Sequence, residues 1–529
     1  MARRDGRLDP VRIELCWNRL VSIASEQAAT MVNSAFSTVL GEMEDLSAAV
    51  FDARGVMLAQ SVQGAPGHLG TLSIGMDHIV DAVGPAGFGA GDVFITNDPW
   101  LVSGHKHDLT VVTPVHRETD LVGFTASNCH TVDIGGRIFS AAAEAVYEEG
   151  LQIPIMKLFD AGEPNDTLFR IIEDNVRSPE LVLGDLAAQV SANHVAGDRL
   201  RALMDLEDLA DLSGIADEIT ARTERKMRQA IAALPDGTYR GRVMLDGFGE
   251  PLTIAVAIAV ADDEIEVDFA GTSPQIAKGV NCVLNYTKAF VFYALKCALS
   301  PDIPNNDGTL RPIRVSAPEG SILNARHPAP VGGRHLVGLF VPFAIFDALA
   351  PAIPDRIVAE SSVLGAVTLA GEGDDDAPYV FTFFCSGGMG ARADRDGLDA
   401  TAFPSNVANA PVEVIEQVAP IRFTGRALIP DSPGAGRFRG GAGQRIGLKL
   451  RSGNAATVST MFERALFPPR GVRGGGDGGP TRLSLDGRPI DPKRGFRLEP
   501  GSEFVIETPG GGGYGPAGRR EPWGADGSG

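Results

Sequence analysis

No run of about 18 or more apolar residues occurs in the 529-residue chain, which excludes a membrane-crossing helix of the usual kind. CxxC spacing is absent as well. Cys16, Cys129, Cys282, Cys297 and Cys385 form an odd set without the pairing of a thiolate zinc or redox motif. That suits a reducing compartment, and with a charged N-terminus that no apolar segment follows it predicts a cytoplasmic protein. Positive charge is scarce too. Lysine and arginine number 47 against 67 acidic residues, for a net charge of −20. Nucleic acid and anionic membrane surfaces are thereby excluded as partners, since both require a concentrated positive field. GxxxxGK[ST] is missing, and the glycine runs at Gly474–Gly479 and Gly510–Gly513 open no helix, so they read as turns rather than phosphate cradles. No internal repeat is found.

What is present is material for roughly two to four hydrophobic cores: hydrophobic residues make up 44% of the chain, with 64 glycines and 35 prolines to punctuate many short elements. Asp9 before Pro10 reads as an N-cap and first helical residue, and Ile13, Cys16, Leu20, Ile23 and Met31 share one face of a helix running to about Ser37. "LSAAVFDARGVMLAQ" reads as a hairpin, "GHLGTLSIGMDHIVDAV" as a turn feeding a helix, and about Thr167 to Leu234 as helical, interrupted at Pro179 and Gly214. A β-meander follows from "DGTYRGRVMLDG" to "VDFAGTS", then a buried helix "NYTKAFVFYALKCAL". Beyond Gly387-Gly388 the chain turns to Gly, Pro and short strands. The expected fold is α+β and multi-domain, with mixed helices, antiparallel β-sheets and a β-rich C-terminal region. The segments are 1–235, 236–385 and 386–515, with a disordered tail at 516–529.

"GHKHDLTVVTPVHRETDLVGFTASNCHTVDIGG", residues 104–136, concentrates histidine and aspartate. "LTVVTPV" and "LVGFTAS" pair as a hairpin through "HRETD". With Val115 opposite Leu121, Asp108 faces Asn128 and is a diagonal neighbour of His130 on the same side of the ribbon. Gly104 lets His105 turn toward that pair. His107 points to the other face if the strand already runs there, and His116 lies in the far turn. Asp133 either ligates an ion or holds a ligand's ring N–H. Mixed imidazole and carboxylate donors suit zinc, manganese or iron; ordinary polar loop residues are the alternative.

These segments, together with "GDVFITNDPW", "DFAGTSPQ", "PDIPNNDGTLRPI", "APEGSILNARHPAPVGGRH", "GGMGARADRDGLDATAFPSNVANAPVEVIE", "GRFRGGAGQR" and "TPGGGGYG", resemble in order the hydantoinase B/oxoprolinase family. The likeness runs from about residue 10 to Gly515. It implies the B subunit of an ATP-dependent cyclic amidohydrolase of the hydantoinase or oxoprolinase type. A hydantoinase A-type ATPase subunit spends ATP, which this chain does not bind, to phosphorylate a lactam or hydantoin; the B chain, in a hetero-oligomer, then completes hydrolysis with a metal-activated water. An acetone-carboxylase-like subunit and a non-catalytic scaffold for the ATPase are the alternatives, the first disfavoured by the shorter chain.

Carried over from the family pattern, "SGHKHD" keeps His105 and Asp108, and "HTVDIGG" keeps His130 and Asp133. Lys106-His107 replace a usual Leu-Pro, and Thr131 replaces a second histidine. The resemblance adds Asp45 as a metal ligand and His68 as a pocket residue, with a helix-capping role as the alternative for His68. Arg334, His335 and Arg392 suit an anionic group of the substrate, or structural ion pairing. Cys129 is on the wrong strand face for a nucleophile.

Overall fold

The computed structural model describes residues 9–373 and 378–519. Asp9 caps helix Pro10–Asn33, its carboxylate accepting from the backbone N–H of Val11 at 3.0 Å. The helix stops short of Ser37 because that hydroxyl caps the next one, Thr38–Gly41, accepting from the N–H of Leu40.

Seven strands follow in one antiparallel sheet: β1 Leu46–Asp52, β2 Met57–Gln60, β3 Val93–Thr96, β4 Asp108–Arg117, β5 Asp120–His130, β6 Met156–Asp160 and β7 Glu163–Pro164, in the order β2-β1-β5-β4-β3-β6-β7. Both faces are covered, which is why β1 reads as almost continuously apolar. Ala49 and Phe51 pack on Leu72, Met76 and Ile79 of helix Pro66–Val83. The intervening Val50 meets Trp17, Leu20 and Leu200, and Ala48 meets Met31 and Ala192, all from helices Pro10–Asn33 and Pro179–Leu206. Buried amides pin those helices to the sheet. Asn193 Nδ2 donates to the carbonyl of Val111 at 3.1 Å and its Oδ1 accepts from Gln27 Nε2 at 2.7 Å; Gln27 also donates to the Ala126 carbonyl at 3.0 Å.

The β4–β5 hairpin forms with a corrected register. A bulge between Val115 and His116 places Val115 opposite Gly123, and Asp108 pairs directly with His130 instead of Asn128. From Asp108 to Val115 the shift is two residues, an even number, so the side chains there keep their predicted face.

Helices Asp166–Asn175, Pro179–Leu206 and Ser213–Ala232 make up the helical region; Pro179 opens the second, while Gly214 lies just inside the third. Strands Gly237–Leu245, Leu252–Ala261 and Glu264–Asp268 form the meander, extended by Ile313–Ser316, which pairs parallel to Glu264–Asp268. Helix Leu284–Leu299 is largely buried and packs on Pro66–Val83. A third sheet joins Gly365–Glu372 and Pro378–Cys385 to Ala456–Met461 and Phe496–Leu498, uniting strands from either side of residue 386, and a fourth is built from Ile421–Leu428 onward. The fold is α+β with a β-rich C-terminal region, as expected, and its largest apolar cluster extends from Val39 to Tyr514. Ala517–Arg519 form one 3-10 turn, and residues 520–529 of the expected tail lie outside the described residues. Among the described residues no helix is long and apolar enough to cross a membrane.

Replacing Asn193 with Ala strips Gln27 and Val111 of a buried partner. The expected cost is about 1–3 kcal/mol, read as a lower urea midpoint with an unchanged slope.

Candidate metal centre

The end of the β4–β5 ladder is where the site begins. Asp108 and His130 are its last pair, and the N–H of Thr131 donates to the His107 carbonyl at 2.7 Å just beyond it. The backbone N–H of His130 donates to the carbonyl of Asp45 at 3.0 Å, which brings the start of β1 alongside. Gly104, at φ +99°, makes the turn that presents His105, and a Cβ there would lie 3.0 Å from Arg334 Cδ. Local geometry thus places two imidazoles and one carboxylate together: one donor atom each from His105, Asp108 and His130 lies within 4.8 Å of the others.

Asp108 is fully buried, and both of its oxygens are occupied. Oδ1 lies 2.6 Å from His105 Nε2 and 3.2 Å from His130 Nδ1; Oδ2 lies 3.0 Å from His68 Nε2 and accepts from Arg334 Nη2 at 2.5 Å. Burial by itself would raise this carboxyl, but His105, Arg334 and His68 together hold it well below the usual carboxylate range. His68 is opposed by burial yet is raised by the Asp108 charge. Arg334 also donates Nε–H to the Ser103 carbonyl at 2.8 Å and lies 3.9 Å from the Tyr286 ring centroid.

His105 Nδ1 is 2.8 Å from the Gly332 carbonyl, an acceptor only, so Nδ1 carries the proton. Burial, then the Arg334 charge, lower His105 to about 4, so the ring is neutral at pH 7 and Nε2 holds a lone pair. That lone pair faces Asp108 Oδ1 at 2.6 Å. At this separation a proton or a metal ion has to lie between the two atoms, and His130 Nδ1 reaches the same oxygen. The donor set therefore fits a divalent ion of the zinc, manganese or iron type.

The expected residues divide. Asp45, His68, His105, His130, Arg334 and His335 line one cavity of about 40 Å³ together with Phe139, Tyr286 and Phe384. Asp108 touches the histidines from behind. His335 is buried with no hydrogen-bond partner at Nε2 among the described residues, and burial, then Arg334, lower it to about 3. Asp133 is engaged elsewhere: it accepts from Arg177 Nη1 at 2.6 Å, from the Arg177 backbone N–H and from the Gly135 N–H, because the chain turns away at Gly135-Gly136. Arg392 lies outside the cavity, with its backbone bridged to Val358. His107 is not turned away as expected. β4 starts only at Asp108, so the His107 ring stacks on His130, 5.5 Å between centroids. Cys129 faces the helices beside Leu46 and Ala192.

Sequence reasoning missed Glu149. Its Oε1 accepts from the N–H groups of Val331 and Gly332 at 2.8 and 2.7 Å, which sets the Gly332 carbonyl that fixes the His105 tautomer. Nothing local in "YEEG" marks it.

The family model described as Hydantoinase B/oxoprolinase matches residues 9–517. The B subunit of a candidate D-/L-hydantoinase from Pseudomonas sp. (strain NS671) is 29% identical, with 98% of this chain and 91% of that protein covered. The β subunit of caprolactamase from Pseudomonas jessenii is also 29% identical, covering 97% and 92%. The crystal structure of ATP-dependent caprolactamase from Pseudomonas jessenii superposes with a TM-score of 0.90 at 27% identity, over 97% of this chain and 92% of that one.

Glu149 supplies a pH test. Burial raises it to about 7, against the downward pull of its two N–H donors. Between the ordinary carboxyl range and pH 7 the native state keeps a proton that the unfolded chain releases, so wild-type stability falls as pH rises through that window. Glu149→Gln keeps an acceptor for the Val331–Gly332 loop and has no proton to lose. The variant's melting temperature should match wild type near pH 4.5, exceed it increasingly toward pH 7, and stay higher above.

Proposed function

The chain belongs to the hydantoinase B/oxoprolinase family, and from that premise we propose that it is the B subunit of an ATP-dependent cyclic amidohydrolase. An A-type ATPase partner phosphorylates the carbonyl oxygen of a lactam or hydantoin, and this chain hydrolyses the activated C–N bond. The observation that carries the reading is the convergence of His105 Nε2 and His130 Nδ1 on Asp108 Oδ1, one donor atom from each residue lying within 4.8 Å of the others, with the other His105 nitrogen already held by the Gly332 carbonyl.

His105, Asp108 and His130 would hold the ion, with Asp45 in the same wall. A divalent ion held there would supply Lewis acidity and lower the pKa of a water toward neutrality, making hydroxide available. The protein's own groups prepare the place. Arg334 and His68 keep Asp108 ionised, and Glu149, through Gly332, keeps His105 in the tautomer whose Nε2 faces inward. Phe139, Tyr286, Phe290 and Phe384 exclude bulk water and so strengthen every charge interaction inside. His335, neutral and with Nε2 unpartnered, is placed to hydrogen-bond the substrate. The cavity takes only a water or two, so a ring enters only when this wall moves.

Purified with its ATPase partner, the chain should contain about one divalent ion per copy by elemental analysis. His105→Ala and His130→Ala should each lose it and reduce ATP-dependent lactam ring opening by at least about 100-fold. Metal-free wild type with full activity would refute the reading, and carbon dioxide incorporation in place of ring opening would move the chain to the carboxylase branch.

A further inference from the structure

A second cavity lies on the other side of the contact between helices Pro66–Val83 and Leu284–Leu299. It shares no lining residue with the metal centre. Gly67 and His68 of the first helix and Tyr286 and Phe290 of the second face the metal side, whereas Gly70, Phe292, Tyr293 and Cys297 face this one. Its volume is about 190 Å³. An apolar cavity of roughly 150 Å³ already accommodates benzene, so this one takes a single ring. Phe292, Leu310 and Ile313 also line an open surface groove, which gives a route in.

The wall is apolar around two unsatisfied polar ends. Asn306 is fully buried, and its Oδ1 accepts from the Gly308 N–H at 2.9 Å and from Thr223 Oγ1 at 2.6 Å. That fixes which end of the amide is which and leaves Nδ2, a donor, without a partner among the described residues. Gln60 is 5% exposed, and its Oε1, an acceptor, has none either. A buried amide group left unpaired costs free energy that a ligand recovers by pairing it. Lys296 already donates to the carbonyls of Ser300 and Ile303, and no carboxylate is among the described lining residues. The lining offers a cation no counter-charge, and its two orphan amide ends suit an uncharged molecule.

We propose that this cavity is a second binding site, for a small uncharged monocyclic molecule that carries a hydrogen-bond acceptor for Asn306 and a donor for Gln60, the arrangement found in a cyclic amide. The argument uses the lining alone and is independent of the chemistry at the metal centre.

Cys297 provides the readout, because it lines the cavity and is exposed while the other four cysteines are buried. Although the residue reaches solvent, desolvation of its thiol by the surrounding protein raises it, so labelling with a thiol-reactive disulfide is followed under mildly alkaline conditions. δ-Valerolactam should slow labelling of the full chain saturably, and more strongly than toluene, which fills the ring space without polar groups. Gln60→Leu, similar in size but without the acceptor, should weaken lactam protection about tenfold and leave toluene protection unchanged. His105→Ala should leave both unchanged, which separates this site from the metal centre. Should Gln60→Leu not fold, equilibrium dialysis of labelled lactam against Cys297-blocked and unblocked wild type gives the same answer, with binding expected to fall on blocking. The proposal is overturned if lactam leaves the labelling rate unaltered, if toluene and lactam protect wild type and Gln60→Leu alike, or if blocking Cys297 leaves lactam binding intact.

Discussion

The ionised carboxylate of Asp108 is the constraint around which the centre of this molecule is organised. Taking a charge fully out of water is costly unless each lone pair finds a partner. Here the groups that close around it come from four parts of the chain: Arg334, which donates from a loop 226 residues downstream, His68 from the helix over the sheet, His130 from the same hairpin and His105 from the turn before it. The packing follows from that convergence. Gly104 has to be a glycine for Arg334 to approach, and Tyr286 stacks on the guanidinium that results.

The same convergence accounts for the chemistry. A ring of donors around Asp108 keeps it negative, while burial keeps His105 neutral, and these opposite effects on adjacent groups leave an anionic oxygen and a bare nitrogen directed at one point. Aromatic walls then lower the local dielectric. The orientation of His105 rests in turn on the carbonyl of Gly332 and on the carboxyl of Glu149 that sets it.

What could be read from the sequence was whatever is local. Asp9-Pro10, the β1–β2 and β4–β5 hairpins and the meander all declared themselves through caps, turns and alternation, and the hairpin pairing alone put Asp108 and His130 on one face. The bulge at Val115–His116 left no mark in composition, yet its even shift did no harm to that inference. Long-range electrostatics was the blind spot. Arg334 was assigned either an anionic group of the substrate or a structural ion pair, and its partner, Asp108 of the protein itself, lies 226 residues away where no local pattern could name it. Asp133 kept the family's position while its carboxylate went to Arg177, a partner 44 residues away that no motif announced. Asp45 came from resemblance alone, since the backbone contact that brings it beside His130 depends on the order of strands in the sheet.

The distance along the chain between Asp108 and Arg334 also sets an order of assembly. During synthesis the hairpin emerges long before its guanidinium counter-ion, so until residue 334 has been made and has docked, Asp108 stays hydrated and the two histidines stay loosely held. Completion of the centre is therefore bound to the arrival of the middle third of the polypeptide, which carries Arg334.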